Sequence, residues 1–399
     1  MTGSDASGRG RRVMISCGEA SGDLYAAALV EAMRTIDPDV DVIGFGGDRL
    51  RQAGARLVGD YRGISVTGLT EALKVVRQSW RLLKQLGDVA RREKPDVFVA
   101  VDFPDFNFRL LPVMHKFGIP VVYYISPQLW AWRAGRLETI RRFVTRMLVI
   151  FPFEREIYER AGVDVEFVGH PLVDLTATTR TREDVLGRAG LDPSRPVVAL
   201  LPGSRPNEIH RLLPTMAAAA ERVRAAVPAV QFVVARAPSL DDEAFAPVSA
   251  LREAGVPIAV LEGETDNVLS AADVVLTASG TATVQTALHG RPMVIVYRLT
   301  GLTYAIGRAF VRVKTYGMVN LIAGRPVAPE LIQDAFTPDA TAREIVDLLT
   351  NRDRADRMRR DLADVRARLG GSGASERAAR AVLDVTARKH RDAAAGVQK

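Results

Sequence analysis

Two short glycine-containing turns in the second half of the chain have the residue types that bind phosphate. The first turn, in "VVALLPGSRPNEIH", places Gly203, Ser204 and Arg205 between an apolar run and a helical pattern. Backbone N–H groups at a helix entrance and a guanidinium both suit a phosphate or diphosphate. A tight connection that carries a surface arginine fits this turn by itself equally well.

The second turn repeats the arrangement. In "DVVLTASGTATVQ", Ser279, Gly280 and Thr281 again lie between a buried strand and a helix. Two such turns on neighbouring strands can hold the two phosphates of a nucleoside diphosphate. Neither turn has the Gly-Lys-Ser/Thr of a P-loop or the G-x-G-x-x-G spacing of a dinucleotide site. Between them, a loop from Gly263 to Asn267 is predicted to present its backbone to a base edge.

Two carboxylates follow a predicted strand in the first half, in "DVFVAVDFPDFNFRLL". Asp102 stands at the carboxyl end of this strand, where a carboxylate can accept a proton from an attacking hydroxyl. A turn-stabilising aspartate is an equally good interpretation of its position. Asp105 stands directly before a helical pattern and is predicted to be the N-cap of that helix.

A third turn, "GEASGD" at residues 18–23, leads from an apolar run into an Ala-rich helix. Its two glycines and two acidic residues predict a ligand site beside the helix start. The residues alone leave open whether Glu19 and Asp23 do chemistry or only shape the turn. Ser21 and Asp23 are candidate caps of the helix.

The elements that position these residues form two similar halves. Apolar runs rich in Val and Ile alternate with helical patterns, which predicts the α/β class with parallel sheets covered on both faces. We predict a linker near 172–195, so that two doubly wound domains leave a ligand cleft between them. The predicted ranges are a flexible tail at 1–12, a first domain at 13–173 joined by C-terminal helices at about 345–388, a second domain at 174–344, and a polar tail at 389–399.

The composition is typical of a soluble, globular protein, with 47% hydrophobic and 25% charged residues. We find neither a signal-peptide pattern nor an apolar stretch of the roughly 20 residues that cross a bilayer, which predicts a cytoplasmic location. The formal charge of +7 favours anionic partners. Without nucleic-acid-binding motifs or histidines at ligand spacing, we expect no nucleic acid partner and no metal. The single cysteine, Cys17, cannot form an internal disulfide.

One predicted helix is both apolar and basic. Its apolar face consists of Leu69, Leu73, Val76, Trp80 and Leu83. Packing of this face on the sheet is the first interpretation. Because Val75 and Leu82 lie off that face and basic residues predominate over 69–94, a membrane-surface role stays open.

Taken together, the motifs resemble those of the lipid-A-disaccharide synthases, inverting glycosyltransferases of the GT-B architecture with two Rossmann-like domains. The resemblance runs from about Val13 to about residue 385 and rests on eight motifs in the family's order. They are "GEASGD", "KPDVFVAVDFPDFN", "YYISPQLWAWRAGR", "FPFE", "VGHPLVD", "LLPGSR", "ASGTAT" and "NLIAGR".

The resemblance implies a reaction between two acylated sugars. UDP-2,3-diacylglucosamine donates its sugar to 2,3-diacylglucosamine 1-phosphate, which gives a β-1,6-linked disaccharide 1-phosphate and UDP. It also implies that Asp102 is the base and that Arg205, Ser204, Gly280 and Thr281 hold the diphosphate and stabilise its developing charge. No cofactor or metal is then needed.

Further residues complete these sites. Gly203, Gly263 and Ser279 join the UDP-sugar site from the turns and the loop described above. The resemblance adds Asn320 as a cleft residue, and Gln285 stands where related enzymes often carry a ribose-binding Glu. Gly18 and Gly22 would let the backbone approach the donor or the acceptor phosphate, with Glu19 and Ser21 in the same acceptor region. Because both substrates carry acyl chains, we expect peripheral association with the inner membrane through Trp80, Leu82 and Leu83. An oligomer is compatible with the sequence.

Two rival interpretations share these features. Another GT-B enzyme that acts on UDP-N-acetylglucosamine, either a peptidoglycan-precursor transferase or a UDP-sugar epimerase, would have the same phosphate turns. A non-catalytic nucleotide- or lipid-binding protein would also retain them, but its function would not depend on Asp102.

Overall fold

A computed structural model describes residues 10–61, 72–127, 135–238, 240–298, 315 and 317–396 of the chain. The chain divides into two compact units, the first formed by Met1–Pro171 with Leu369–Lys399 and the second by Leu172–Arg368. Each unit contains a parallel sheet with helices between its strands. The predicted α/β class with two doubly wound, Rossmann-like domains is confirmed.

The first unit is built on a sheet of seven described strands in the order β3-β2-β1-β4-β5-β6-β7. The strands are β1 (Arg12–Ser16), β2 (Asp41–Gly46), β3 (Arg56–Asp60), β4 (Val97–Val101), β5 (Val121–Tyr124), β6 (Arg146–Val149) and β7 (Val165–Phe167). The direction of winding reverses between β1 and β4, and ligands of open parallel sheets bind outside the carboxyl ends of strands at such a point. The stretch "GEASGD" follows β1 and Asp102 follows β4, so both lie at this switch point.

Six helices of the first unit connect or follow these strands among the described residues. They are α1 (Ala20–Ile36), α2 (Asp48–Gln52), α3 (Ala72–Glu93), α4 (Pro104–Lys116), α5 (Gly135–Phe143) and α6 (Pro152–Arg160). Strands such as β4 are buried along their whole length, because helices cover the sheet, and this explains their unbroken Val and Ile runs. One core cluster packs Leu86 of α3 and Leu110 of α4 on Phe98 of β4.

The second unit has a sheet of six described strands in the order β10-β9-β8-β11-β12-β13. The strands are β8 (Val197–Leu201), β9 (Gln231–Arg236), β10 (Ile258–Glu262), β11 (Val274–Ala278), β12 (Met293–Tyr297) and β13 (Glu330–Ile332). Its helices are α7 (Leu172–Leu175), α8 (Arg182–Arg188), α9 (Pro206–Ala226), α10 (Ala246–Glu253), α11 (Thr265–Ala271), α12 (Thr281–Leu288), α13 (Met318–Ala323), α14 (Pro338–Thr350) and α15 (Arg352–Arg368). Because β8 and β11 are parallel neighbours, both predicted phosphate turns follow the carboxyl ends of adjacent strands.

The segment predicted as a linker, 172–195, folds as part of the second unit. Its helix α8 packs on α11, and Arg182 forms an ion pair with Asp273 at 3.0 Å. The Thr179 N–H donates to Asn267 Oδ1 at 3.0 Å. The polar and turn-forming residues of this segment suggested an exposed linker. In the structure, polar side chains and backbone groups of the segment instead bond to other parts of the second unit.

The C-terminal helices also divide differently from the prediction, which assigned about 345–388 to the first domain. Helix α14 packs on α9, and α15 packs on α12 and α13, so both belong to the second unit. A last helix, α16 (Ala374–Gly396), packs on α1 and β4 of the first unit. The unit boundaries fall at 171/172 and 368/369.

Both predicted tails are partly structured. Strand β1 begins at Arg12, within the predicted tail 1–12, and residues 1–9 lie outside the described part. Helix α16 continues through the predicted polar tail to Gly396. There Lys389 Nζ donates to the Pro95 carbonyl at 3.0 Å, which ties the helix end to the first unit.

Candidate active site

Asp102 lies at the switch point of the first sheet in an uncommon backbone conformation. Its φ is 45°, and that of Phe103 is 50°, so two consecutive non-glycine residues are left-handed. Each such residue costs on the order of 1 to 3 kcal/mol, and strain of this kind clusters at active sites and ligand-binding sites. Helix α4 begins immediately afterwards at Pro104, with Phe103 as its N-cap.

Three neighbouring groups hold the strained backbone of Asp102. Its N–H donates to the Tyr124 carbonyl at 3.0 Å. Its carbonyl accepts hydrogen bonds from the Tyr123 hydroxyl at 2.9 Å and from Asn107 Nδ2 at 2.8 Å. Burial, and secondly the charge of Asp102, raises the pKa of Tyr123 well above its ordinary value. The tyrosine therefore keeps the proton that it donates.

Asn107 is a supporting residue that the sequence analysis missed. It is fully buried, and its Oδ1 accepts a hydrogen bond from Ser16 Oγ at 2.7 Å. Its amide thus connects the end of β1 with the carbonyl of Asp102 after β4. A polar residue among apolar neighbours at the start of a helix, as in "PDFNFRLL", is the signal that could have identified it.

Packing against protein is enough to require a glycine at position 18. A Cβ built on Gly18 would lie 2.2 Å from the nearest ring atoms of Phe103. That ring stacks on Phe45 and Phe106, with centroid distances of 6.5 and 5.5 Å. Gly18 therefore makes room for the residue that follows Asp102, and its approach to a ligand stays a prediction.

We expect Gly18→Ala to lower kcat at least tenfold, because the added methyl group must displace the Phe103 ring and with it the strained Asp102–Phe103 pair. Overpacking of this kind costs about 1 to 3 kcal/mol of stability, so steady-state kinetics should be measured together with urea unfolding. Gly22→Ala is the matched control, since its Cβ would meet the Cys17 Cβ at an ordinary 3.4 Å. A wild-type kcat for Gly18→Ala would show that Phe103 does not position Asp102.

The other residues of "GEASGD" differ from their predicted roles. Helix α1 begins at Ala20 with Glu19 as its N-cap, so Ser21 and Asp23 lie in its first turn. Asp23 is buried and accepts from the N–H groups of Gly47, Arg49 and Leu50 at 2.7 to 3.2 Å. This carboxylate therefore caps α2 and has a structural role.

Gly22 is also buried, inside α1, which corrects its predicted role as a point of ligand approach. Glu19 and Ser21 are half-buried at the carboxyl edge of the sheet. Of the four residues assigned to the acceptor region, these two keep an accessible surface together with Gly18.

Asp105 is not the N-cap that the sequence suggested. It lies in the first turn of α4, where a carboxylate stabilises the positive end of the helix dipole. Its exposed carboxylate is paired with Arg136, whose guanidinium lies over the Phe108 ring at 4.9 Å.

The first predicted phosphate turn joins β8 to α9. Gly203 has a φ of 113°, which favours glycine, and Arg205 is the N-cap of the helix. The prediction left the Ser204 N–H available, whereas the structure shows it donating to Glu208 Oε2 at 3.3 Å. The other oxygen of Glu208 accepts from Arg205 Nη1 at 3.0 Å. A carboxylate of the same unit thus accepts from two of the groups that were predicted to bind a phosphate, the Ser204 N–H and the Arg205 guanidinium.

The second turn joins β11 to α12 and is more open. Gly280, the N-cap, has a φ of 142°, and a Cβ built on it would meet nothing within 4 Å. Gly280 and Thr281 are exposed, and no acidic residue lies in the first turn of α12. Ser279 pairs with β12 through its N–H, which donates to the Val296 carbonyl at 3.0 Å. Gln285 lies one helical turn after Thr281 and is half-buried, so the two residues share a helix face.

The predicted loop from Gly263 to Asn267 is largely helical. Gly263 is an exposed turn residue with a φ of 71°, but helix α11 begins at Thr265. Asn267 is buried and bonds to Thr179 and to Glu264. A hydrogen bond from Arg180 is the main cause that lowers the pKa of Glu264. Gly263 is the residue of this segment that retains the predicted exposure.

Asn320 uses its whole amide inside its own segment. Its Nδ2 donates to the Ala328 carbonyl at 2.8 Å and to Glu330 Oε1 at 2.7 Å. Its Oδ1 accepts from the N–H groups of Val327 and Ala328 at 2.6 and 2.9 Å. This buried side chain fastens the residues after α13 to β13, so the structure favours a structural role over the predicted ligand contact.

Tyr297, at the carboxyl end of β12, is a further residue that the sequence analysis missed. Burial raises its pKa most, the charge of Glu208 raises it further, and Arg205 and Arg211 lower it. These influences place Tyr297 near the charged pair at the first turn. Tyr297 is the last residue of the apolar strand "MVIVY". Because aromatic residues are common in such strands, the sequence offered little reason to select it as a site residue.

The predicted membrane residues on α3 have three different environments. Trp80 is 58% exposed, and the Arg109 guanidinium lies 5.8 Å from its ring centroid. Leu82 is only 8% exposed and belongs to the core with Leu86 and Val89, while Leu83 packs partly against that core. The core face of α3 is therefore not the face that the sequence suggested. The side chains of Leu69, Leu73, Val75 and Val76 lie outside the described residues.

The two doubly wound sheets are the two Rossmann-like domains of the GT-B fold. Solved structures of low identity share this fold. A UDP-GlcNAc 2-epimerase from Neisseria meningitidis, bound to UDP-GlcNAc, aligns with a TM-score of 0.68 at 14% identity over 94% of this chain and 100% of that one. A calicheamicin glycosyltransferase aligns with a TM-score of 0.57 at 17% identity over 95% and 99%.

Sequence relatives define the family more narrowly. Residues 13–385 match the family described as Lipid-A-disaccharide synthetase. Lipid-A-disaccharide synthases from Myxococcus xanthus and Geobacter sulfurreducens are each 43% identical over 374 residues, which is 94% of this chain and 97% of theirs. The chain belongs to the lipid-A-disaccharide synthetase family. It is therefore a hexosyltransferase that forms the lipid A disaccharide, as the motifs predicted, and the rival interpretations are not favoured.

Proposed function

We propose that the chain transfers 2,3-diacylglucosamine from UDP to 2,3-diacylglucosamine 1-phosphate, forming the β-1,6-linked disaccharide 1-phosphate and UDP. The observation that carries this proposal is the pair of strand-to-helix turns at neighbouring strands β8 and β11, found in a member of this family. One sugar substrate carries a diphosphate, which such turns bind.

The donor site is assigned to the second unit. The exposed start of α12 at Gly280 and Thr281 offers a positive helix end without an acidic residue in its first turn, so it suits a phosphate. Ser204 and Arg205 at the neighbouring turn take the other phosphate. The backbone at Gly263 contacts the uracil ring of UDP. Gln285, one turn into α12, contacts the ribose through its amide. Gln can accept and donate hydrogen bonds but brings no charge.

Arg205 also serves the chemical step. As the bond between the anomeric carbon and the UDP oxygen breaks, negative charge grows on the diphosphate. A guanidinium and oriented N–H groups stabilise that charge more in the transition state than in the ground state, which lowers the barrier by several kcal/mol.

Asp102 acts as the general base on the acceptor. Its carboxylate takes the proton of the acceptor 6-hydroxyl while that oxygen forms the new bond to the anomeric carbon and UDP leaves from the opposite face. The single displacement inverts the anomeric configuration. The hydrogen bonds that fix the Asp102 backbone support this assignment, because a base must be held in place to within a fraction of an ångström.

Incubating the purified full-length protein with each pair of substrates tests the proposal. We expect UDP release and an acylated disaccharide phosphate from UDP-2,3-diacylglucosamine plus 2,3-diacylglucosamine 1-phosphate. UDP-N-acetylglucosamine should give neither transfer nor epimerisation. Turnover of UDP-N-acetylglucosamine without turnover of the acylated pair would contradict the proposal.

We also propose that the enzyme binds peripherally to the inner membrane through the exposed side of α3. Trp80 is a large exposed aromatic side chain, and the exposed Arg77, Arg81 and Lys84 lie on the same helix. Aromatic anchors beside basic residues are typical of proteins that lie on anionic membrane surfaces. None of the described helices is long and apolar enough to cross a membrane. Leu82 does not belong to this membrane surface because it is buried. Leu83 is partly packed against the core, so only its exposed part can contact the membrane.

Trp80→Ser is expected to reduce binding to vesicles of mixed anionic and zwitterionic phospholipids by about tenfold, since burying a large apolar side chain is worth roughly 1.5 to 3 kcal/mol. Co-sedimentation at two salt concentrations measures both the apolar and the electrostatic part. Phe117→Ser is the matched control, because Phe117 is also an exposed aromatic of the first unit, at 37%, but follows α4. Equal binding by all three proteins would exclude this surface.

A further inference from the structure

Glu208 occupies the groups that the proposed function assigns to a phosphate. One of its carboxylate oxygens accepts from the Ser204 N–H at 3.3 Å, and the other accepts from Arg205 Nη1 at 3.0 Å. A backbone N–H and a guanidinium are also what a phosphate recruits at a helix start. The side chain is only 21% exposed, so it is packed into the turn and not merely extended over it.

The turn is shaped around this carboxylate. A Cβ built on Gly203 would lie 2.4 Å from Glu208 Oε2, so the carboxylate fills the concave side of the Gly203–Ser204 bend. Ser204 has one amide hydrogen, which cannot serve a carboxylate and a phosphate at full strength together. The two anions would also repel each other at this distance.

We propose that Glu208 is an internal competitor for the donor diphosphate. Its carboxylate closes the Gly203–Ser204–Arg205 turn in the free protein and leaves the turn when UDP binds. After transfer, the same carboxylate returns and helps to displace UDP. This inference rests on the proposed function, because it takes the turn as a diphosphate site.

An ordinary structural role is the alternative. Glu208 is the third residue of α9, where a glutamate commonly stabilises the helix start. In that case its replacement would lower stability and leave UDP affinity unchanged. The two roles therefore differ in the sign and kind of effect that removing the charge produces.

Calorimetric titration of UDP into four full-length proteins distinguishes them: the wild type, Glu208→Gln, Glu221→Gln and Arg205→Ala. Glu221 is exposed on the same helix, 13 residues further on and about 20 Å away at 1.5 Å per residue. Its replacement therefore matches the charge change without touching the turn.

We expect Glu208→Gln to bind UDP about tenfold more tightly, the factor that loss of one competing charge-assisted hydrogen bond gives. UDP should also become a correspondingly stronger product inhibitor. Glu221→Gln should stay within twofold of the wild type, and Arg205→Ala should bind UDP more weakly.

Unchanged or weaker binding of UDP by Glu208→Gln, with Arg205→Ala still impaired, would overturn the competitor role while leaving the phosphate turn in place. Unchanged binding by Arg205→Ala would overturn the phosphate turn itself and this inference with it. Thermal unfolding of each variant shows that the compared proteins are folded.

Discussion

Asp102→Asn is expected to lower kcat by about three orders of magnitude while leaving the dissociation constant for UDP within twofold of the wild type. General-base catalysis contributes roughly 10² to 10⁴ in rate, and an amide of the same shape cannot take the proton of the acceptor hydroxyl. UDP binding is unaffected because the proposed diphosphate groups belong to the other unit. Single-turnover kinetics and UDP titration of the same preparation separate the two quantities.

Asp105→Asn is the matched control for this prediction. It removes a carboxylate three residues away that is exposed and paired with Arg136, so kcat should change less than threefold. If Asp102→Asn retained most of its turnover, the base would have to be sought elsewhere. Glu19, half-buried at the same sheet edge, would be the next residue to replace.

Arg205→Ala is expected to reduce kcat/KM for the donor by about 10² to 10³, the cost of removing one group that stabilises transition-state charge. Part of the loss should appear in kcat, because the leaving diphosphate carries more negative charge in the transition state than in the bound substrate. Arg205→Lys should recover only a fraction, since an ammonium replaces a planar, bidentate donor by a point charge.

The control for Arg205 is Arg222→Ala on the same helix. Arg222 pairs with Asp339 at 2.6 Å on the surface of the second unit, and its loss should leave kcat/KM for the donor unchanged. A loss confined to KM would indicate that Arg205 binds the donor equally in the ground and transition states. Its role in stabilising the leaving group would then be withdrawn.

The interior strands were predictable, and so were the edge strands β7 and β10, whereas the other two edge strands were not. Val97–Val101 is an unbroken apolar run, and Val274–Ala278 is apolar except for Thr277, because helices cover both strands on both faces. The edge strands Arg56–Asp60 and Glu330–Ile332 are half-buried and short, so they carry no comparable run and were missed. The linker prediction failed for a related reason: polar residues such as Arg182 satisfy tertiary partners that no local pattern shows.

Helix α3 shows how a correct periodicity can still give the wrong face. Two apolar stripes fit a 3.6-residue repeat in this helix, one through Trp80 and Leu83 and the other through Leu82, Leu86 and Val89. The sheet selects the second stripe as core and leaves Trp80 exposed. Amphipathic spacing identifies a helix, but the choice between two apolar faces depends on which one the neighbouring strands meet.

The sequence by itself determined the family, the α/β class and the positions along the chain of the residues proposed to react or to bind phosphate: Asp102 after one strand, Arg205 and Thr281 at two helix starts. Those features are local, because strand, turn and helix patterns depend on the types and spacing of consecutive residues. Only the tertiary structure decided which residues near these groups already have hydrogen-bond partners or packing neighbours within the protein. It showed that Asp23 and Asn320 bond to backbone groups of the protein, that Phe103 packs against Gly18, and that Glu208 bonds to the predicted phosphate turn. Hydrogen-bond partners and packing neighbours come from distant segments or from a side chain's orientation, and residue type and spacing do not specify either.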